Sequence, residues 1–200
     1  GLKYWGRDLS EQQLTANRAQ GADICDTSLP EWSHGDSLEI GDAYNGEPAD
    51  FIFSCPPYAD LEVYSTDPRD LSSMSYDNFT AVYSQIIKRT TALLKEDRFA
   101  FFVVGEVRDS NGNYYGFVKD TIQAFQDAGL KFYNDAVLVT PIGSMPLRAE
   151  RTFNAGRKLI KGHQNILVFL KGDPKKATAA CGHVEVAFPE FEHEDLGEEL

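Results

Sequence analysis

Ala49-Asp50-Phe51-Ile52-Phe53-Ser54-Cys55-Pro56-Pro57-Tyr58 is the stretch on which the reading of this chain turns. Within Ala49 to Phe53, Phe51-Ile52-Phe53 is a short apolar run, the pattern of a buried parallel strand. It ends in a polar residue, a thiol, two prolines and an aromatic. The prolines fix φ and remove two backbone donors, so nearby carbonyls are left as unshared acceptors. Each residue before a proline is pushed to extended geometry, which stiffens the turn. Tyr58 adds a flat face with a polar tip. Such a turn suits a planar ring that carries an amine: the aromatic stacks on it and the carbonyls hold the NH2. The bland alternative is a rigid proline turn with Tyr58 packed into the core.

Working outward, strands and helices alternate. Leu2 to Gly6 reads as a strand ending near Arg7-Asp8. Ser10, with Gln13 at the capping-box position, predicts a helix from about Glu11 to Gln20, stopped by Gly21. Glu31 to Ser33 reads as a brief strand running into His34-Gly35-Asp36-Ser37. After the 49–58 stretch, residues 59–73 form a polar loop, with Tyr64 and acids suited to a lid or recognition element. Ser75 caps a long helix whose Val82, Tyr83, Ile86, Ile87, Thr90, Leu93 and Leu94 share one face. Arg98 to Val104 is a further strand, and Phe117 to Phe125 a helix closed by Gly129. Phe132 to Thr140 and Asn165 to Leu170 complete the strands. This alternation predicts a single α/β domain over residues 1–172, a sheet with helices on both faces. Residues 173–200 read as an acidic, mostly disordered tail.

In such sheets ligands lie beyond the carboxyl ends of the strands. Asp8, Asp36 with Ser37, and Ser54 to Tyr58 all fall at such ends. Asp8 can accept two hydrogen bonds from vicinal hydroxyls; it would serve equally as a cap for the helix that follows.

The formal charge of −12 argues against a polyanion partner, but its distribution does not. Residues 185–200 hold seven acids and no Lys or Arg, so 24 acids against 19 bases leave −5 for the body. Ser144 to Gly162 carries Arg148, Arg151, Arg157, Lys158 and Lys161 against Glu150 alone, a basic loop able to meet phosphates. Three scattered cysteines read as reduced thiols and four scattered histidines predict no metal. No apolar run approaches the roughly 20 residues of a membrane span, so a cytoplasmic location is expected.

The Cys55-Pro56-Pro57-Tyr58 turn after an apolar strand resembles motif IV of the S-adenosylmethionine-dependent DNA amino-methyltransferases, which reads Asp, Asn or Ser, then Pro-Pro, then Tyr, Phe or Trp. The stretch YWGRDLSEQQLTANRAQ resembles their motif II and Gly35-Asp36-Ser37 their motif III. The resemblance implies a Rossmann-like class I sheet and S-adenosylmethionine as cofactor. Asp8 would then hold the ribose, with Asp36 and Ser37 at the adenine. It further implies DNA as partner, Ser54, Cys55, Pro56, Pro57 and Tyr58 as the catalytic turn, and methylation of adenine N6 or cytosine N4. DFIFSCPPYADLEVYS through HQNILVFLKGDPKKA looks like phage and prophage DNA methylases of restriction-modification type, which implies the cytoplasm of a bacterial or phage-infected cell. His163 and Gln164 would approach the target.

Two departures matter. Cys55 stands where the family has an oxygen acceptor, and a thiol accepts more weakly. Either Cys55 suffices, or Ser54 supplies the oxygen, or activity is reduced or lost. In the C5-cytosine methyltransferases the covalent cysteine follows a proline, whereas Cys55 precedes Pro56, and no nearby residue announces itself as an activating base. The family's glycine-rich motif I turn is also absent, so the expectation is a chain truncated just after motif I, with one strand lacking between the Asp8 strand and the motif IV strand. The alternatives are a catalytically inactive nucleic-acid-binding relative, or an N-methyltransferase acting on RNA or protein glutamine.

Overall fold

The computed structural model describes residues 2–58, 62–139, 145–183 and 185. Six strands and six helices follow one another: β1 (Trp5–Asp8), α1 (Glu11–Ile24), β2 (Glu31–His34), α2 (Ile40–Ala43), β3 (Ala49–Ser54), α3 (Tyr76–Ala92), β4 (Leu94–Val104), α4 (Phe117–Asp127), β5 (Lys131–Val139), α5 (Met145–Gly156), β6 (His163–Lys171) and α6 (Pro174–Cys181).

The strands fall into two sheets. β1 and β2 pair in parallel, Trp5 opposite Glu31 and Asp8 opposite His34. The larger sheet has the order β3-β4-β6-β5. β3 and β4 are parallel, and β6 is inserted antiparallel to both β4 and β5. β1 and β3 share no ladder among the described residues, so the sheet is interrupted between the Asp8 strand and the Ser54 strand.

The core lies between α3, α4 and one face of the larger sheet. Phe79, Tyr83 and Ile87 recur every four residues on α3, and all three are buried with Phe117 and Phe125 of α4. They meet Ala100, Phe102 and Val104, alternate residues of β4, as period-two side-chain placement requires. Phe125 stacks on Phe169 at 3.7 Å. Each fully buried phenylalanine contributes about 1.5–3 kcal/mol of apolar transfer, so this face carries most of the domain's stability.

Several expectations are corrected. The β3 strand is not buried on both faces: Ile52 packs on the core, but Phe51 and Phe53 point to the other face and are 52% and 59% exposed. The helix layer expected on that face is therefore incomplete over β3. Gly21 does not stop α1, which continues to Ile24. Its missing Cβ instead permits a close approach, since a methyl there would sit 3.1 Å from Pro30 Cδ. The basic loop is largely helical, with Arg148 and Arg151 on α5. The tail does not begin as irregular chain at Asp173. Asp173 caps α6 by accepting hydrogen bonds from the Lys175 and Lys176 amides at 2.9 and 3.0 Å, with Pro174 at the first helical turn. Thr140 and residues 186–200 lie outside the described residues.

Candidate functional site

Two polar stations stand at the carboxyl ends of the parallel strands. The first joins β1 to the turn after β2, and its organiser is Arg7, whose side chain is only 6% exposed. Its Nε donates to the Asp36 carbonyl at 2.8 Å and its Nη1 to Ser33 Oγ at 2.8 Å. Nη2 reaches the Glu39 carboxylate at 3.2 Å. Gly35, at φ +140°, lies directly beneath the guanidinium, and any side chain there would collide with it. The Gly35 amide donates to the Asp8 carbonyl at 3.0 Å, and the His34 ring bonds the Leu9 carbonyl at 3.0 Å. This lattice ties the end of β1 at Asp8 to the turn that carries Asp36.

Each of those carboxylates keeps one oxygen in reserve. Asp8 Oδ1 accepts from the Ser10 amide at 2.8 Å, and Asp36 Oδ1 from the Leu38 amide at 2.8 Å. Both acids therefore hold the next turn in place: Asp36 caps the turn Ser37–Glu39, and Asp8 holds Ser10, which caps α1. The second oxygen of each has no partner among the described residues. Two such acceptors at strand ends suit a ribose diol and an amine-bearing ring. Ser37 opens the one-turn 3-10 helix Ser37–Glu39 beside them.

The second station is the turn after β3. Tyr58 is half-buried, its ring 5.7 Å from Phe117 and in contact with Gly105, where a Cβ would stand 3.4 Å from Tyr58 Cε2. Its hydroxyl donates to the Val103 carbonyl at 3.4 Å and accepts from Gln164 Nε2. Cys55 Sγ lies 3.8 Å from the same oxygen. Burial, with Cys55 beside it, pushes the Tyr58 hydroxyl well above its ordinary pKa, so it stays protonated. The structure thus brings Cys55, Tyr58 and Gln164 together where the end of β3 meets β4 and β6. Tyr58 also packs against the core.

The described part of the loop, 62–73, runs between the stations. Tyr64, whose hydroxyl is raised first by its bond to Glu62, also feels Cys55. Arg69, gripped by Asp67 at 2.7 Å, also feels Asp36 and Glu39. Arg69 in turn holds the Asp67 carboxyl down to about 2.

Arg148 and Arg151 stand on α5, and Arg157, Lys158 and Lys161 on the segment leading into β6. Sequence reasoning missed Arg7, although an arginine just before a strand-end acid was a visible signal. The resemblance placed Gly105 to Asp109 near the cleft without singling out Glu106, whose Oε2 is buried without a partner among the described residues. Such an orphan acceptor costs stability unless something meets it. Among the described residues no three His, Cys, Asp or Glu side chains converge to hold a metal ion, and no helix is long and apolar enough to cross a membrane.

No protein-family model and no curated protein matches the sequence. Solved structures do match in fold. A protein assigned as a DNA modification methylase of Thermus thermophilus, solved with S-adenosyl-L-methionine, superposes with a TM-score of 0.50 at 15% identity, covering 70% of this chain and 52% of its own. The N-methyltransferase NodS of Bradyrhizobium japonicum gives 0.51 at 10% identity, covering 86% and 74%. TrmN of Thermus thermophilus gives 0.50 at 12%, covering 84% and 36%. The chain spans about half the length of the first of these. Its fold is the Rossmann-like α/β fold of class I methyltransferases.

Proposed function

We propose that this chain is the methyl-transfer region of an S-adenosylmethionine-dependent DNA methyltransferase acting on an exocyclic amine, adenine N6 or cytosine N4. The observation that carries this reading is the meeting of Cys55, Tyr58 and Gln164 beyond the end of β3, with Asp8 and Asp36 at the strand ends of the smaller sheet. The methylase-like fold of the structural neighbours supports it.

The donor set at the first station fits the cofactor. The reserve oxygens of Asp8 and Asp36 would hold ribose hydroxyls and an adenine amine, with Ser37 adjacent. When bound, S-adenosylmethionine supplies an electrophilic methyl group. The chain's own task is to present a nucleophilic nitrogen. An exocyclic amine is a poor nucleophile because its lone pair is delocalised into the ring. Acceptors that draw on its hydrogens return electron density to nitrogen. The Pro56 carbonyl is one acceptor, and Ser54 Oγ or Cys55 Sγ the other. Tyr58, fixed by Gln164 and the Val103 carbonyl, presents a ring against which an extruded base can rest. Fixing its hydroxyl limits the motion of that ring, which serves the alignment the transfer needs.

The test is transfer of labelled methyl from S-adenosylmethionine to unmodified duplex DNA, followed by nucleoside analysis of the product. N6-methyladenine or N4-methylcytosine supports the proposal. Cofactor binding with label on RNA or protein alone would redirect it to those substrates. Absence of both cofactor binding and transfer would leave the inactive relative as the better account.

A further inference from the structure

A second polar feature sits outside both stations. Residues 107–115 fold back on themselves: Arg108 bridges Tyr114, the Tyr115 amide donates to the Val107 carbonyl at 3.0 Å, and Gly112 turns the chain at φ +89°. Arg108 is held in two ways. Its Cζ stands 3.7 Å over the Tyr114 ring, and its Nη1 donates to the Gly112 carbonyl at 2.6 Å. Lys161 Nζ is 5.0 Å from the same ring. Lys158 lies against Gly112, where a Cβ would take the place of its ammonium. With Arg157 these cations line a groove of about 460 Å³ whose remaining walls are Tyr114, Leu159 and Ile160. Lys158 also borders a neighbouring groove of about 270 Å³ that Arg151 lines.

Four positive side chains therefore face one cavity on a protein of net charge −12. None of the four has a carboxylate partner among the described residues. Asp109, the nearest acid in the turn, is occupied with the Asn113 amide at 2.8 Å. Concentrating like charges without counterions costs folding energy, and an anionic ligand removes that cost. The guanidinium is already oriented by the Tyr114 face and the Gly112 carbonyl, so little side-chain entropy is lost when it binds. Because Lys158 joins the two grooves, the cations form a track from Arg108 and Lys161 to Arg151. A track suits a strand of phosphodiesters better than a single free anion.

Its position ties it to the second station. Lys161 is three residues from Gln164, which bonds Tyr58, and Arg108 is three residues from Gly105, which touches the Tyr58 ring. Three residues span at most about 10 Å, so the groove lies within a few nucleotides' rise of the Tyr58 turn.

We propose that Arg108, Tyr114, Arg157, Lys158 and Lys161 form a phosphodiester clamp that grips the DNA strand within a few nucleotides of the one presented at Tyr58. The placement rests on the methyltransferase reading above; the binding of DNA to this groove does not.

Fluorescence anisotropy of a labelled 12-nucleotide strand, single and in duplex, tests this between 50 and 200 mM salt. Replacing both cations in R108A/K161A weakens binding about 10–100-fold and reduces the salt slope by about 1.5–2, since each lost phosphate contact removes close to one counterion. Y114L, which leaves every charge, weakens binding about 3–10-fold with the slope unchanged. K175A/K176A, a basic pair on α6, serves as the charge-matched control and changes neither. Calorimetric titration of S-adenosylmethionine on the same variants separates the two readings. Cofactor binding retained while DNA binding falls supports the clamp. DNA binding that depends on Arg108 and Lys161 without any cofactor binding supports the clamp and sinks the methyltransferase reading. Failure of the wild-type chain to bind DNA, equal loss in the α6 control, or saturation by inorganic phosphate alone overturns the clamp.

Discussion

Arg7 is the residue whose removal the structure predicts most sharply. Arg7→Ala deletes a side chain that is 6% exposed and makes three bonds. The pair with Glu39 counts for little, because that carboxylate is 66% exposed and screened. The bonds to the Asp36 carbonyl and Ser33 Oγ come from a charged donor and are worth about 1.5 kcal/mol each. Burial of the aliphatic stem adds about 1–2 kcal/mol. The expected loss is about 4 kcal/mol, at the high end for one substitution. The assay is urea unfolding followed by tryptophan fluorescence. The chain has two tryptophans, Trp5 on β1 and Trp32 on β2, so the signal reports this sheet directly. With a slope of about 2 kcal/mol per molar urea, the midpoint should fall by about 2 M. Gly35→Ala should also be costly, since its Cβ would displace the same guanidinium. In the double variant the effects should be clearly less than additive, because the second change removes contacts already lost. A midpoint shift under about 0.3 M in Arg7→Ala, or full additivity with Gly35→Ala, would refute the role assigned to Arg7.

The remaining predictions concern the second station and pH. Tyr58→Ala should lower methyl transfer at least about 100-fold with the circular dichroism spectrum retained, whereas Tyr58→Phe, which keeps the ring against Phe117, should lose about 3–10-fold. Equal rates in both variants would remove the ring from the site. Cys55→Ser should raise transfer about 3–10-fold in an initial-rate assay by restoring an oxygen acceptor; a fall instead would assign that role to the thiol itself. Lys95 and Arg98 hold the Asp50 carboxyl below its ordinary 3.8, chiefly through hydrogen bonds at 2.8 and 3.0 Å. A depressed folded-state pKa stabilises above the unfolded value and is lost as pH falls through the folded one. Asp50→Asn should therefore lower the melting temperature slightly at pH 7, and thermal scans should show the difference closing below pH 4. A difference that persists at pH 2 would contradict it.

Much of the fold was legible because the relevant signals are local. Runs such as Phe51 to Phe53 and Phe99 to Val104 are short and apolar, and the helix over 76–92 has a period that puts Tyr83 and Ile87 inward. What failed was context. Gly21 has the composition of a helix stop, yet it lies inside the last turn of α1, where Pro30 packs closely over it. Phe51 and Phe53 read as interior, yet they lie on the sheet face away from α3 and α4. Leu94 was read as the last residue of the helix face, and Lys95 to Asp97, all charged, were not read as strand. β4 nonetheless starts at Leu94, through an irregular register against β3 and a positive φ at Asp97, whose Oδ1 accepts from the Asp173 amide at 2.7 Å. Polar residues inside a strand are disclosed only by their tertiary partners.

The candidate site divides along the same line. The Pro-Pro-Tyr turn announced itself because its restrictions on φ and on donors are written in adjacent residues. The groups that make the turn a site are distant in sequence: Val103, Gln164 and Phe117 converge on Tyr58 from β4, β6 and α4. The same holds for Arg7, which reaches Ser33, Asp36 and Glu39 across about thirty positions. Cys55 is the point where local reading and geometry pull apart. Composition makes it the weak member of the turn, while the structure sets its sulfur against the Tyr58 hydroxyl that β4 and β6 hold in place. A Tyr58 hydroxyl that donates to Val103 and accepts from Gln164 has little donor capacity left for the thiol. Its contact with Cys55 therefore leaves the sulfur lone pairs available outward, toward an amine. On that account Ser54 would be needed only if the Cys55 side chain turned away. The Cys55→Ser rate decides the matter, because serine keeps the position and exchanges only the acceptor atom.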